Sequence, residues 1–433
     1  MYRQKIKELE KWKNSKDRMP LIIRGARQVG KTWIMKEFGE NNYKKVAYVN
    51  FDGNTRMARL FEGDFDIDRI IQGLKIETQV DIDAQDTLLI FDEIQEVPKA
   101  LTSLKYFCEN ARQFHILAAG SLLGVALHEG TSFPVGKVDF MDLYPLNFQE
   151  FLLAIGEEKI VTILNEKDWN LINVFKDKLI LYLKEYYFIG GMPAAINKYI
   201  ETKDYRQVRN VQLKLLQAYE EDFSKHAPNE IVPRLKMLWN SIPAQLAKEN
   251  KKFIYGLIKE GARAKEYELA LSWLIDCGLI YKIDRVNKPN IPLIAYQDTS
   301  AFKLYILDVG ILGAMTRIDE KILLEGNEIF TEFKGSFTEQ FVLTELKSNK
   351  DIPIFYWSAE KATAEIDFLI QLGIDVIPIE VKASENLQAK SLKSFIEKYK
   401  TTKNVRTSMS NYRKEEKLIN IPLYAIENIE KII

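Results

Sequence analysis

Short apolar runs alternate with amphipathic stretches along the first 150 residues of the chain. Each apolar run is nearly continuous and is bounded by polar or turn residues, which is typical of strands buried on both faces. The runs are residues 20–24, 46–51, 87–91, 114–119 and 139–144. Because helical stretches separate them, the pattern predicts a parallel sheet covered by helices on both faces.

The rest of the chain shows two further patterns. From about residue 160 the spacing becomes helical, interrupted by the turn signal Gly190-Gly191-Met192-Pro193. Residues 231–285 predict a helical unit that ends in a small hairpin, the order of a winged helix, with residues 266–276 as its third helix. From about residue 330 we predict a helix, three strands and a helix, at residues 334–347, 354–358, 366–371, 376–382 and 389–398.

Composition narrows the class of protein. A chain of 433 residues is too long to fold around a single hydrophobic core, so we expect several domains. Lys and Arg (61) balance Asp and Glu (61), so nucleic-acid contact would need a local basic patch. The two cysteines, Cys108 and Cys277, lie far apart in apolar contexts, which favours a reducing compartment over a disulfide framework. Neither a signal peptide nor an apolar run of the ~20 residues that cross a bilayer is visible, so we expect a cytoplasmic protein without membrane contact.

A glycine-rich loop follows the first strand and opens a helix. Its sequence, GARQVGKT at residues 25–32, satisfies GxxxxGK[ST], in which backbone N–H groups and the helix N-terminus surround a phosphate. We expect Lys31 to reach the β- and γ-phosphates and the Thr32 hydroxyl to bind Mg²⁺. The predicted ATP-binding set is Gly25, Ala26, Arg27, Gln28, Val29, Gly30, Lys31, Thr32 and Trp33.

Acidic and polar side chains follow the third and fourth strands. The run LLIF ends in Asp92, which we expect to hold Mg²⁺ through its water shell, and Glu93, which we expect to orient or deprotonate the attacking water. The alternative for both residues is capping of the helix that follows. After the fourth strand, Ser121 is a candidate sensor of the γ-phosphate, with a helix N-cap as an equal alternative.

These motifs together resemble a known family. GARQVGKT, LLIFDEIQ, AAGSLLG and YPLNFQEFL, continued by YYFIGGMPAAI, GLIYKI and FKLYILDVGIL, are similar to prokaryotic AAA-type ATPases that carry a C-terminal domain of unknown function. The resemblance covers nearly the whole chain and implies ATP hydrolysis, with assembly into a homo-oligomer. One departure is Lys137, where many relatives have an arginine, so no arginine finger is carried over. Since arginine is preferred for planar phosphate recognition, we expect slow hydrolysis or help in trans.

A second candidate site lies near the C-terminus. Asp367, Glu380 and Lys382 form a D-x₁₂-ExK arrangement on two successive predicted strands, and alternation places Glu380 and Lys382 on the same face. Two carboxylates can bind Mg²⁺ or Mn²⁺ while the lysine activates water at a phosphodiester. With Glu339 from the preceding helix as a further metal ligand, the arrangement resembles the PD-(D/E)xK nuclease fold. Plain surface charge, or an inactive module that binds DNA or packs, remains the alternative.

Six basic residues precede the predicted third helix of the winged-helix region and are candidates for phosphate contacts. They are Lys248, Lys251, Lys252, Lys259, Arg263 and Lys265. The helix itself, YELALSWLID, is apolar for a helix that reads DNA, so packing against protein is an equal alternative.

The combined prediction is an α/β chain of four domains. A P-loop AAA-type ATPase domain (1–157) with a parallel sheet is followed by a helical lid or linker (158–228), a winged-helix-like domain (229–290) and a restriction-endonuclease-like α/β domain (291–433). The leading interpretation is an ATP-hydrolysing enzyme that acts on or with DNA, with a C-terminal domain that cuts or grips it. The alternative is a nucleotide-switched signalling or scaffolding protein that binds protein partners.

Overall fold

The structure is a computed structural model that describes residues 1–120, 134–248, 251–325, 331–349, 352–359, 364–385 and 389–433. It divides into two units. The first unit contains Tyr2–Tyr144 together with Asp276–Leu279, and the second contains Met1, Pro145–Ile275 and Ile280–Ile433. The four finer boundaries drawn from the sequence stay predictions.

The first unit is built on a five-stranded sheet. Its strands are β1 (Leu21–Arg24), β2 (Lys45–Asn50), β3 (Thr87–Asp92), β4 (His115–Ala119) and β5 (Asp139–Asp142). Their order is β2-β3-β4-β1-β5, and every neighbouring pair is parallel, which confirms the predicted parallel sheet. Because parallel strands end at the same edge, the loop after β1 and the carboxylate that ends β3 share that edge.

Among the described residues, one helix precedes the first strand, and four others lie in the connections between strands. They are α1 (Ile6–Lys13), α2 (Lys31–Asn42), α3 (Thr55–Glu62), α4 (Ile67–Thr78) and α5 (Pro98–Asn110). Local sequence features mark the start of two of these helices. The Asp66 carboxylate accepts from the backbone N–H groups of Asp68 and Arg69 at the start of α4, and a proline is the first residue of α5. In the core, Phe51, Phe61 and Phe91 contact one another edge-on at ring-centroid distances of 5.5–6.2 Å.

The second unit begins as an array of helices and continues as a mixed sheet with helices. The helices are α6 (Phe148–Ala154), α7 (Glu158–Glu166), α8 (Trp169–Val174), α9 (Lys176–Ile189), α10 (Pro193–Thr202), α11 (Tyr205–His226), α12 (Val232–Leu246), α13 (Ala264–Asp276), α14 (Val309–Met315), α15 (Glu320–Glu325), α16 (Thr331–Asn349), α17 (Lys390–Tyr399) and α18 (Ile429–Ile432). Within the described ranges, no helix combines the length and the apolar character that crossing a membrane requires.

The sheet of the second unit has eight strands in the order β12-β13-β11-β10-β9-β8-β6-β7. They are β6 (Ile280–Val286), β7 (Gln297–Ile306), β8 (Ile354–Ser358), β9 (Glu365–Leu372), β10 (Asp375–Val381), β11 (Val405–Ser408), β12 (Arg413–Lys414) and β13 (Ile419–Pro422). β6 and β7 form an antiparallel hairpin, and β6 pairs with β8 at Arg285 and Tyr356. The predicted hairpin therefore shares one sheet with the C-terminal strands.

Candidate functional site

The loop between β1 and α2 owes its shape to left-handed backbone at three positions. The φ angles are 146° at Gly25, 67° at Gln28 and 100° at Gly30. A Cβ atom at Gly25 would lie 2.2 Å from the Leu143 carbonyl oxygen, so only glycine fits there. A residue outside the loop also fixes its backbone, because the buried Arg3 guanidinium donates to the Val29 carbonyl oxygen at 2.9 Å.

Lys31 is the first residue of α2 and is buried. Its Nζ donates to the carbonyl oxygens of Gly25 at 2.7 Å and Ala26 at 2.9 Å. Burial lowers the pKa of Lys31 to about 8, and the negative charges of Glu93 and Asp92 partly oppose this shift. The ammonium group thus lies inside the loop, where phosphate oxygens can replace the two carbonyls as its acceptors.

The two predicted magnesium ligands are in direct contact. The Thr32 hydroxyl donates to Asp92 Oδ2 at 2.6 Å, although the residues belong to α2 and β3. Asp92 is buried, with 3% of its surface exposed. Tyr48 of β2, which the sequence did not indicate, donates its hydroxyl to the same oxygen at 3.0 Å. Burial and the Asp92 charge raise the pKa of Tyr48, which keeps its hydroxyl protonated and able to donate.

Glu93 follows Asp92 in a left-handed conformation, with φ 51° and ψ 43°. Such backbone is uncommon for a non-glycine residue and is concentrated at functional sites. The Gln95 side chain donates to Glu93 Oε2 at 2.7 Å and so orients the carboxylate. The charge of Glu93 raises the pKa of Lys31, so the two side chains interact across the site. A role for Glu93 as the base stays a prediction.

The remaining predicted residues of this site are less central. The positive charge of Arg27 lowers the pKa of Lys31, and Trp33 is 38% exposed on α2. Lys137, at the position compared with an arginine, forms an ion pair of 2.9 Å with Glu109. Ser121 lies outside the described residues.

A segment from far along the chain also contributes to the first unit. Asp276–Leu279 belongs to it, and Gly278 has a left-handed φ of 70°. A Cβ atom there would lie 3.2 Å from the Ala26 nitrogen, so this backbone packs on the phosphate-binding loop. The neighbouring Cys277 slightly raises the pKa of Lys31. No motif signals this contact, because it joins positions that are distant in sequence.

The C-terminal residues that the sequence grouped do come together in the second unit. Lys382 pairs with Glu380 Oε1 at 2.7 Å, and the Val381 N–H donates to Asp367 Oδ2 at 2.7 Å. Burial raises the pKa of Asp367 well above its ordinary value, and the charges of Glu339 and Glu380 raise it further. The predicted carboxylates therefore lie close enough to repel one another.

Two buried lysines that the nuclease hypothesis did not include lie among these carboxylates. Lys303 of β7 is fully buried, forms an ion pair with Glu365 and lies 3.9 Å from Glu339 Oε2. Lys251 is buried and forms an ion pair with Glu339 Oε1. The interpretation of Lys251 as a DNA phosphate contact is wrong, because its ammonium group is buried against a carboxylate.

The contacts around Glu339 leave little room for the predicted divalent ion. The ammonium groups of Lys251 and Lys303 contact both oxygens of Glu339, the predicted third metal ligand. Across the described ranges, no three His, Cys, Asp or Glu side chains are grouped so that they could hold a metal ion. The donor set observed around Asp367 and Glu380 does not fit a bound metal as it stands.

The first unit resembles the P-loop NTPase fold and is an AAA-type ATPase-like domain, as its loop after β1, the carboxylate that ends β3 and the β2-β3-β4-β1-β5 order indicate. Residues 17–152 match the family model described as an AAA domain. Residues 180–322 and 334–426 match two models described as domains of unknown function, DUF8612 and DUF4143. The resemblance to a nuclease fold stays a prediction.

Solved structures give distant matches. A Walker-type ATPase of Pyrococcus abyssi is 13% identical with a TM-score of 0.46, over 73% of this chain and 95% of that one. The Orc1 protein of Aeropyrum pernix, in complex with DNA, is 11% identical with a TM-score of 0.30, over 73% and 93%. Cdc6p from Pyrobaculum aerophilum is 11% identical with a TM-score of 0.25, over 75% and 93%. Among curated proteins there is no match.

Proposed function

We propose that the first unit binds MgATP and hydrolyses it, with Glu93 as the general base. The observation that carries this proposal is the 2.6 Å contact between the Thr32 hydroxyl and Asp92, beside the buried ammonium group of Lys31. These are the groups that P-loop enzymes use for magnesium and for the β- and γ-phosphates. Their juxtaposition supports a site for the phosphates and for magnesium within one chain.

Each side chain has a defined task in this proposal. Lys31 exchanges its two carbonyl acceptors for phosphate oxygens and neutralises their charge. Thr32 through its hydroxyl, and Asp92 through the water shell of the ion, would hold magnesium, which would withdraw charge from the phosphates. Glu93, oriented by Gln95, accepts a proton from the attacking water.

Nucleotide binding and phosphate release by purified variants test these roles. We expect Lys31→Ala to abolish binding, and Glu93→Gln to bind ATP while its kcat falls roughly 10²–10⁴-fold. Lys44→Ala is the matched control, because Lys44 is an exposed lysine of the same unit that pairs with Asp86. Full turnover by Lys31→Ala would show that the site is assigned wrongly.

We further propose that DNA is the partner that this ATPase acts with. The supporting features are the helices α12 and α13 followed by the hairpin β6–β7, which resemble part of a winged helix, and the exposed Arg263 and Lys265 at the start of α13. The exposed Glu266 and Glu268 of the same helix favour the competing function, a nucleotide-switched scaffold for protein partners.

ATPase rates measured with and without duplex DNA separate the two functions. A DNA-directed enzyme should be stimulated, most strongly at low salt where phosphate contacts are tightest, and Arg263→Glu with Lys265→Glu should remove the stimulation. Basal ATPase activity of that double variant is the control. If the protein neither binds DNA nor is stimulated by it at low salt, the scaffold function is supported.

We also propose that the chain forms a homo-oligomer that supplies an arginine in trans. Sedimentation with and without ATP measures the oligomeric state.

For the C-terminal residues, a metal-dependent nuclease competes with a module that holds DNA or protein without cutting it. The ion pairs of Lys251 and Lys303 with the carboxylates favour the second interpretation. We therefore expect no cleavage of plasmid or linear DNA in Mg²⁺ or Mn²⁺. Cleavage that is lost in both Asp367→Ala and Lys382→Ala would instead establish the nuclease.

A further inference from the structure

A carboxylate-rich cluster in the second unit contains its own cations. We call it the Glu339 cluster. Its members are Lys251, Lys303, Tyr305, Glu339, Glu365, Asp367, Glu380 and Lys382, which come from three strands, α16, the loop before α13 and the residue that follows β10. Glu339 and Glu380 are only 6% and 5% exposed, and Lys251 and Lys303 are 8% and 0% exposed. Charges buried to this degree require partners, because unpaired burial costs several kcal/mol.

The partners of Glu339 are all supplied by the chain. Lys251 pairs with one carboxylate oxygen. The other oxygen accepts from the Tyr305 hydroxyl at 3.1 Å and lies 3.9 Å from Lys303 Nζ. Lys303 also pairs with Glu365, so one ammonium group serves two carboxylates. Both oxygens of Glu339 are therefore engaged without any added ion.

We infer that the ammonium groups of Lys251 and Lys303 provide the positive charge that a divalent ion would supply, so that the resting Glu339 cluster is closed to metal. Four carboxyl groups face three ammonium groups, so a divalent ion would give the cluster a net positive charge unless it displaced a lysine. Displacement would leave a buried ammonium group unpaired, which is costly.

The part of the cluster away from these two lysines offers few free ligands. Asp367 Oδ2 accepts from the Val381 N–H, and Lys382 pairs with Glu380 Oε1. Glu380 Oε2 is buried and has no hydrogen-bond partner within the described part of the chain. Asp367 and Glu380 alone make a two-residue set, whereas stable protein sites for hard cations use more oxygen ligands.

The direct test is Mn²⁺ binding by the full chain without nucleotide, measured from the spin-resonance signal of free Mn²⁺. Lys251→Met removes the ammonium group and keeps a side chain of similar length. We expect Lys251→Met to bind Mn²⁺ roughly tenfold more tightly than the wild-type chain, because Glu339 is released as a ligand. Adding Glu339→Gln to this variant should remove the gain.

Controls separate the cluster from the ATP site and from misfolding. Lys259→Met removes an exposed lysine of the same segment and should match the wild type. The Thr32 and Asp92 pair is intact in every variant and contributes equally to the signal. A circular-dichroism spectrum and a urea unfolding curve establish that Lys251→Met is folded.

The wild-type chain gives a further test that does not depend on the folding of Lys251→Met. We expect a metal chelator to leave its unfolding midpoint unchanged. One tightly bound Mn²⁺ that Asp367→Asn and Glu380→Gln both remove would overturn the inference, as would a folded Lys251→Met with no gain in affinity. Because neither DNA nor ATP enters this measurement, its result is independent of the proposed ATPase.

Discussion

At the residue scale, Lys31 combines burial with a positive charge. Its ammonium group is enclosed by the loop that it serves, and two backbone carbonyls are its acceptors. Enclosure lowers the pKa of Lys31 to about 8 from the ordinary 10.5. The nucleotide-free site therefore begins to lose its charge within a pH range that proteins tolerate.

The first prediction concerns pH. Phosphate groups favour the charged form of Lys31, so ATP binding above pH 8 must take up a proton. We expect ATP affinity to fall by about tenfold per pH unit between about pH 8 and about pH 10. Calorimetry in buffers of different ionisation enthalpy measures the proton uptake. Affinity that stays constant over this range would contradict the lowered pKa.

The second prediction concerns Tyr48. Tyr48→Phe keeps the ring on which Lys36 lies at 3.7 Å but removes the hydroxyl that donates to Asp92. Because hydrogen bonds to charged groups contribute about 1.5 kcal/mol or more, we expect MgATP to bind roughly tenfold more weakly while kcat changes little. Steady-state kinetics measure both quantities. Tyr106→Phe, whose ring stacks on Phe65, should match the wild type.

At the element scale, parallel pairing assembles the ATP site. Asp92 is the last residue of β3, and the register places it beside Asn50 of β2 and Ala119 of β4. The loop after β1 opens at the same edge because β1 is parallel to β4. Strand pairing therefore brings together two segments separated by a long stretch of chain, and the contact between Thr32 and Asp92 joins them.

The third prediction concerns the turn before α10. The buried Asp308 carboxylate caps α14 by accepting from the Ile311 N–H at 2.9 Å and also accepts from the Gly191 N–H at 2.6 Å. Asp308→Ala leaves both N–H donors without their acceptor. We therefore expect the free energy of unfolding, measured in urea, to fall by about 2–4 kcal/mol. The control is Asp168→Ala, which removes an exposed cap of α8 and should lower the free energy of unfolding by only about 1 kcal/mol.

At the scale of the whole molecule, the first unit is not one continuous piece of chain. Asp276–Leu279 belongs to it, and Gly278 packs on the Ala26 backbone. The nucleotide loop is therefore supported by residues that a fragment ending at residue 152, the limit of the matched AAA domain, does not contain.

The fourth prediction follows from this support. Gly278→Val places a side chain against the Ala26 nitrogen at a residue with positive φ, so the loop must shift. We expect the variant, and the fragment 1–152, to bind ATP roughly tenfold more weakly than the full chain in a fluorescence titration. Gly373→Ala changes another positive-φ glycine that has open space around it and serves as the control. Unchanged affinity in both would show that the segment does not support the loop.

The elements that local patterns encode can be predicted from the amino-acid sequence alone. Near-continuous apolar runs predict buried strands, and residues 354–358 were predicted with the limits that β8 has. The loop at residues 25–32 and the Asp92-Glu93 pair were found because each is contiguous and lies at a strand end. The short β11 and β13 were not predicted, because four residues with mixed polarity carry little periodic signal.

The distant side chains that complete each site can be identified only from the folded chain. Arg3, Tyr48 and Gly278 reach the ATP site, and Lys251 and Lys303 reach Glu339, across separations that no local pattern spans. Such contacts depend on strand register and on the packing of helices against sheets. The physical reason is that burial forces charges to find partners wherever the folded chain brings them, and the partner need not be near in sequence.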